Sequence, residues 1–304
     1  MVAVPPEELF EITGDVSELQ GLVLIEALDG FIDAGGARRL TRDHLLGGAE
    51  PETVVTFDVD LLHDYRARRP PMTFAADHWE SYEPPTLDIR RLTDAAGAPY
   101  LLLSGSEPDV MWERFAAAVL LVARRLGVHL TVGTNAIPMA VPHTRPIGLT
   151  AHAARHELIA DYAPWVGTVQ VPGSAGHLLE HRLAEAGFDS MGFAVHVPHY
   201  LAQANYPPAA EALVRAIARA TGLVLPVGPL EEAAREMQQS IAGLIGQSEE
   251  LTELVQTLES QYDAAVADRG ASLTETASLP TGDELGAELE RFLAEQSRKR
   301  DEPR

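Results

Sequence analysis

The chain has 304 residues, with 23 Lys and Arg against 45 Asp and Glu, a formal net charge of −22. Binding to nucleic acid or to an anionic membrane surface needs a basic footprint, so neither is an expected partner. Cysteine is absent and the single lysine is Lys299, which excludes disulfides, thiolate catalysis, zinc–sulfur sites, a core pyridoxal Schiff base and a P-loop.

The opening M-V-A-V-P-P-E-E-L-F has no basic start and no long apolar run, so no secretory signal is expected. Gly21 to Leu28 reads as a buried strand, followed by a turn from Asp29 to Gly36 and a helix through about Leu46. Thr53 to Val59 is a second strand. Asp60 to Pro85, rich in proline and aromatics, is irregular and has room for a hairpin or flap. Thr86 to Leu92 alternates like a strand with one wet face, and Tyr100 to Leu103 is a buried strand.

Ser106 with Asp109 three residues on spells a capping box for a helix closed by Gly127. His129 to Gly133 is a strand ending at Thr134 and Asn135. Val166 to Val171 reads as another strand, Ser174 to Ala186 as a helix, Met191 to Val197 as the last strand, and Pro208 to Ala220 as the last helix of the body. The longest apolar run, Phe115 to Ala123, is about half a membrane span, and the expected location is cytoplasmic. Strands alternating with helices predict βαβ units around a mostly parallel sheet of at least six strands.

Pro226 to Pro229 marks a boundary between an α/β body, 1–228, and an acidic helical segment, 229–304. From Glu231 onward there are 17 acidic and 7 basic residues. Met237, Ile241, Leu244, Ser248, Leu251, Val255, Leu258 and Tyr262 follow a 4-3 spacing, the stripe of one long helix. A loop from Arg269 to Pro280 and a second capped helix with Leu285, Leu289, Phe292 and Leu293 complete a helical hairpin. Such a stripe must be buried on the body or on another subunit.

The candidate site residues gather at strand ends, the edge where open α/β sheets bind ligands. Two junctions match: Val141-Pro142-His143 and Val197-Pro198-His199. Proline lacks the N–H that a ladder needs, so both mark strand exits. If these exits adjoin, His143, Arg145, His196, His199 and Tyr200 converge, with Asn135 nearby, able to bind a carboxylate or phosphate or to move a proton. The competing reading has these side chains bonding loop carbonyls or filling a subunit contact.

Ser104-Gly105-Ser106 offers a small-residue anion cradle or an ordinary turn, and Ser104 and Ser106 join the candidate set. Asp33 is read as a helix cap, because Asp29 and Asp33 would repel phosphate and G-x-G-x-x-G is not met. Ser174 is not a nucleophile elbow, since Pro172 stands where G-x-S-x-G needs glycine. His152 and His156 have the i, i+4 spacing of a helical metal pair, but H-E-x-x-H is absent, and a surface helix pair is expected. No metal and no cofactor is expected.

V-P-H-T-R-P-I at 141–147, H-V-P-H-Y-L-A at 196–202, D-G-F-I-D-A-G-G-A at 29–37, G-S-E-P-D at 105–109 and L-E-S-Q-Y-D at 258–263, followed by L-P at 279–280, resemble the proteasome assembly chaperone 2 family in its actinobacterial branch. The resemblance runs in order over nearly the whole chain. It implies a phosphorylase/hydrolase-like three-layer α/β sandwich, similar to purine nucleoside phosphorylases, with a C-terminal helical hairpin, and it implies a homo-oligomer, a trimer. Eukaryotic relatives are chaperones for the 20S proteasome, so proteasome subunits are the implied partners. No residue set matches a complete phosphorylase site, and no catalytic residue carries over. The expected function is protein binding rather than catalysis; the alternative is a small-molecule enzyme or sensor on the nucleoside-phosphorylase-like core.

Overall fold

The computed structural model describes residues 4–14, 16, 21–48, 51–163 and 167–271. Its strands, in chain order, are β1 (Phe10–Ile12), β2 (Val23–Asp29), β3 (Glu52–Phe57), β4 (Met72–Ala75), β5 (His78–Tyr82), β6 (Leu87–Thr93), β7 (Pro99–Ser106), β8 (Leu130–Met139), β9 (Leu149–Ala153) and β10 (Asp189–Pro198). The helices are α1 (Ala37–Gly47), α2 (Val59–Leu62), α3 (Trp112–Arg125), α4 (Ala175–Glu185), α5 (Pro207–Thr221), α6 (Gly228–Ile245) and α7 (Glu249–Ala271).

Eight strands form one sheet in the order β1-β3-β6-β7-β2-β8-β10-β9, while β4 and β5 pair as a separate hairpin. β7, β2, β8 and β10 make a parallel block. β3 runs the same way, so five of eight strands share a direction, with β1, β6 and β9 against them. α3 and α4 cover one face through a core containing Leu24, Leu103, Phe115, Val119 and Leu179. α1 and α5 cover the other through Ile25, Leu102, Val132, Phe193 and Leu213. The three-layer α/β sandwich expected from the sequence is therefore present. Parallel strands buried between helices explain the apolar runs at Gly21 to Leu28 and Tyr100 to Leu103. Gly222, at φ 74°, stops α5 in the left-handed conformation glycine adopts without strain.

Several local expectations change. The strand expected at Val166 to Val171 does not form over its described residues, 167–171. The edge position is taken by β9, whose L-T-A-H-A alternation pairs antiparallel with β10. His152 therefore lies on a strand and His156 in a short 3-10 turn, so they are not a helical pair. β8 continues past Asn135 to Met139, through Pro138. Its pairing with β2 ends at Gly133, leaving one edge where a missing N–H costs no ladder bond.

The capping box at Ser106 and Asp109 does not form. α3 begins only at Trp112, and Asp109 instead accepts from the Asp64 N–H at 2.7 Å and pairs with Arg68 at 2.8 Å. The tail is two helices rather than one. α6 ends at Ile245, next to Gly246, and the Ser248 hydroxyl accepts from the Leu251 N–H at 3.3 Å to start α7. Of the predicted stripe, Ile241, Val255 and Leu258 are buried, whereas Leu244 and Leu251 are exposed. The second helix of the expected hairpin, from Thr281, lies outside the described residues.

Candidate functional site

Alternation along β8 and β10 puts apolar side chains on the α1/α5 face and polar ones on the α4 face. In the parallel register Thr131, Gly133 and Asn135 of β8 lie beside Ser190, Gly192 and Ala194 of β10, and His196 lies beside Ile137. One row crosses four strands: Glu26, Gly133, Gly192 and His152 are successive Cα partners. The two glycines make room for carboxylates and an imidazole from neighbouring elements. A Cβ at Gly192 would stand 2.4 Å from His152 Cε1 and 3.0 Å from Glu180 Oε2, and one at Gly133 would stand 3.4 Å from Glu180 Oε2 and 3.6 Å from Glu26 Oε2.

α4 closes this row from above. Ser174 caps it, its hydroxyl accepting from the His177 N–H at 3.1 Å. One turn on, Glu180 bonds His152 Nδ1 at 2.7 Å. Glu26 is fully enclosed, and its carboxyl accepts from the Leu28 N–H at 2.9 Å. Burial pushes the Glu26 carboxyl above its ordinary range; Arg38 and the Leu28 N–H oppose this, while Glu180 and Glu107 add to it.

Arg38 is buried and donates to the carbonyls of Leu28 at 2.7 Å and Ile32 at 2.8 Å, and to Asn135 Oδ1 at 2.9 Å. Asn135 in turn donates to His177 Nε2 at 3.0 Å. Desolvation, then nearby His152, holds His177 below the ordinary imidazole value. The result is a hydrogen-bonded chain from Arg38 through Asn135 to His177, beside the separate Glu180–His152 pair. Among the described residues no group of three or more His, Asp or Glu is poised to hold a metal.

The two Val-Pro-His junctions leave the same edge of the sheet, since β8 and β10 are parallel neighbours with Pro138 facing Val197. They meet at Tyr200, whose hydroxyl accepts from the His143 N–H at 2.9 Å and lies 2.7 Å from His143 Nδ1. Desolvation lowers the His143 pKa, and Glu259 opposes it. His199 packs edge-on against Tyr200, with ring centroids 5.5 Å apart.

Arg145 is engaged by the tail. Its Nε and Nη2 donate to Asp263 at 2.8 Å and 2.7 Å, its Nη1 to Glu259 at 3.2 Å, and Thr144 bonds Glu259 as well. Tyr262 donates to the Pro146 carbonyl at 3.2 Å. The segments V-P-H-T-R-P and L-E-S-Q-Y-D thus clasp each other, and α7 packs on its own body. His196 is buried, with Nε2 2.8 Å from the Thr150 hydroxyl of β9.

The predicted residues therefore fall into separate groups. Asn135 belongs to the Arg38 and His177 chain; His143, Arg145 and His199 belong to the clasp; His196 faces β9. Ser104 and Ser106 line a cavity of about 410 Å³ at the carboxyl ends of β2 and β7. Its opposite wall is the stem of the β4–β5 hairpin, where the Glu83 N–H donates to the Pro71 carbonyl at 3.1 Å. Gly105, inside β7, sits at φ 113°, and a Cβ there would lie 2.0 Å from the Thr86 carbonyl, so this strand position demands glycine. Asp33 does serve as the cap of α1, accepting from the N–H groups of Arg38 at 2.8 Å and Arg39 at 3.0 Å.

Sequence reasoning missed Glu26, Glu180, Arg38 and His177. The available signals were a carboxylate inside an apolar strand and lone glycines inside two buried strands.

A profile of the PAC2 family matches residues 27–245. Solved structures similar to the chain include a Mycobacterium tuberculosis protein of unknown function, 48% identical with a TM-score of 0.82, the match covering 86% of this chain and 92% of that one. A Corynebacterium glutamicum protein of unknown function is 34% identical with a TM-score of 0.81, over 85% of this chain and 98% of that one. A Mycobacterium tuberculosis proteasome-assembly chaperone homologue is 24% identical with a TM-score of 0.71, over 77% and 100%; this last likeness shows the fold alone. Comparison with curated proteins gives no match.

Proposed function

Because the chain belongs to the PAC2 family, we propose that it acts by binding a protein partner, and that proteasome subunits are the partner class to which it is suited. The observation that carries this reading is the β4–β5 hairpin. Met72, Phe74, Trp79 and Tyr82 on it are between 47% and 63% exposed. Phe74 and Trp79 stack edge to face with centroids 5.2 Å apart, so the tip presents an ordered aromatic surface. Clustered exposed aromatics mark interaction sites, and Trp and Tyr are enriched where binding energy concentrates. The likeness to the Mycobacterium tuberculosis proteasome-assembly chaperone homologue supports the choice of partner class.

On this reading the 1–228 body carries the hairpin, and the 229–304 segment serves self-association, as a trimer. Exposed Leu244 and Leu251 on α6 and α7 support that role. Leu251→Glu is then expected to lower the oligomer mass in analytical ultracentrifugation while the body stays folded.

The test of the main reading uses the full chain and purified 20S proteasome from an actinobacterium. Saturable binding is expected, with at least about tenfold weaker affinity for a Phe74→Ser/Trp79→Ser double variant. Absence of binding, or equal binding by the variant, would overturn it.

A further inference from the structure

The cavity beneath the hairpin is a built site that the protein-binding reading does not use. Its volume of about 410 Å³ falls within the range of small-molecule sites. In a chain of net charge −22, four arginines line it: Arg42, Arg68, Arg69 and Arg90. Three are held by carboxylates of the chain. Arg90 donates through Nε and Nη2 to Asp88 at 2.9 Å and 2.8 Å. Arg42 pairs with Asp29 and bonds Asp43 at 3.1 Å. Arg68 pairs with Asp109 at 2.8 Å and also bonds the Glu107 carbonyl.

A guanidinium has five N–H donors, so these pairings fix its plane and leave donors over. The Arg68 Nε–H is buried and bonds no described group of the chain. Arg69 is exposed at the rim and makes no ion pair with a described residue. Across from them stand the hydroxyls of Ser104 and Ser106, while Pro70, Pro71, Pro84 and Pro85 supply an apolar wall.

We propose that this cavity binds a phosphate-bearing small molecule. Four guanidiniums offer more donors than the two oxygens of one carboxylate can accept, whereas a phosphate or diphosphate offers three or more oxygens in the geometry arginine matches. The prolines take the apolar remainder of the ligand. Of the lining carboxylates, Asp29 is offset by its pair with Arg42, which lifts the repulsion its charge alone would exert on phosphate, and Glu83 is an acceptor for the ligand's hydroxyl groups.

The site stands independently of the protein partner, and either reading can fail alone. Its test is calorimetric titration of the full chain with pyrophosphate, inorganic phosphate and citrate in a phosphate-free buffer at low salt. Pyrophosphate is expected to bind saturably at one equivalent and more tightly than phosphate or citrate. Arg69→Glu is expected to weaken it at least about tenfold without altering the melting curve, since Arg69 is exposed and makes no ion pair with a described residue. Hydrogen exchange gives a second readout on the unaltered chain: pyrophosphate is expected to protect the amides around Gly105. No saturable binding, a preference for citrate, unchanged affinity in Arg69→Glu, or no protection around Gly105 would each overturn the proposal.

Discussion

The two faces of β8 and β10 are built from opposite chemistry. Toward α1 and α5 they present Leu130, Val132, Ala136, Met191, Phe193, Val195 and Val197, all buried in one apolar core. Toward α4 the same strands present Thr131, Gly133, Asn135, Ser190, Gly192 and His196. Parallel strands covered on both sides ordinarily read apolar on both. Here one face carries the packing, so the other is free to hold polar groups, provided each finds a partner. Partners are present: the Thr131 hydroxyl donates to Ser190 at 2.9 Å, and Asn135 bridges Arg38 and His177. The difference separates what holds the sheet together from what the sheet displays.

The largest effect that would sharpen this contrast is expected at Phe193. It is fully buried on the apolar face, and Phe193→Ala should cost about 3–5 kcal/mol in urea denaturation. Gly192→Ala tests the polar face at its tightest point. The new Cβ would force the His152 ring aside and break its 2.7 Å bond to Glu180. A loss of about 1–3 kcal/mol is expected, together with a moved His152 ring resonance by NMR. Replacing the hydroxyl pair together, Thr131→Val with Ser190→Ala, should cost less than about 1 kcal/mol, because both partners leave at once. A cost as large as that of Phe193→Ala would break the contrast. The smallest effect belongs to the clasp. Arg145→Ala should leave the unfolding midpoint unresolved from wild type, since surface ion pairs contribute little, while hydrogen exchange in α7 accelerates.

Much of the scaffold was legible in order. Apolar runs located β2, β7 and the core of β10, and Gly127 located the end of α3. The strands that sequence reading missed, β1 and β9, are short edge strands whose pairing is decided by a partner distant in the chain. Asp109 is a similar case: its local spacing spelled a cap, but Arg68 and the Asp64 N–H, some 40 residues away, claim it. The matched Val-Pro-His junctions were rightly placed on one edge. That Arg145 is occupied by Glu259 and Asp263 depends on a contact across more than a hundred residues. The Glu26 row left a readable trace, a carboxylate in an apolar strand and a lone glycine in each of two others. What the trace lacked was register, because only strand order puts Glu26, Gly133, Gly192 and His152 in line.

The central claim is that the α4 face holds polar groups the fold does not need for its stability, and that burial there raises the pKa of the Glu26 carboxyl. Its folded pKa lies above the ordinary glutamate value of about 4.3. The native state therefore binds the proton more tightly than the unfolded chain, and stability falls as pH rises from the unfolded value toward the folded one. Glu26→Gln keeps an acceptor for the Leu28 N–H and removes the titration. The direct measurement is urea denaturation of wild type and Glu26→Gln at intervals from pH 5 to pH 8. The variant is expected to gain on the wild type as pH rises, with the largest difference at pH 8. A difference that stays flat from pH 5 to pH 8 would show that Glu26 is held as a carboxylate beside Arg38 throughout, and would contradict the account.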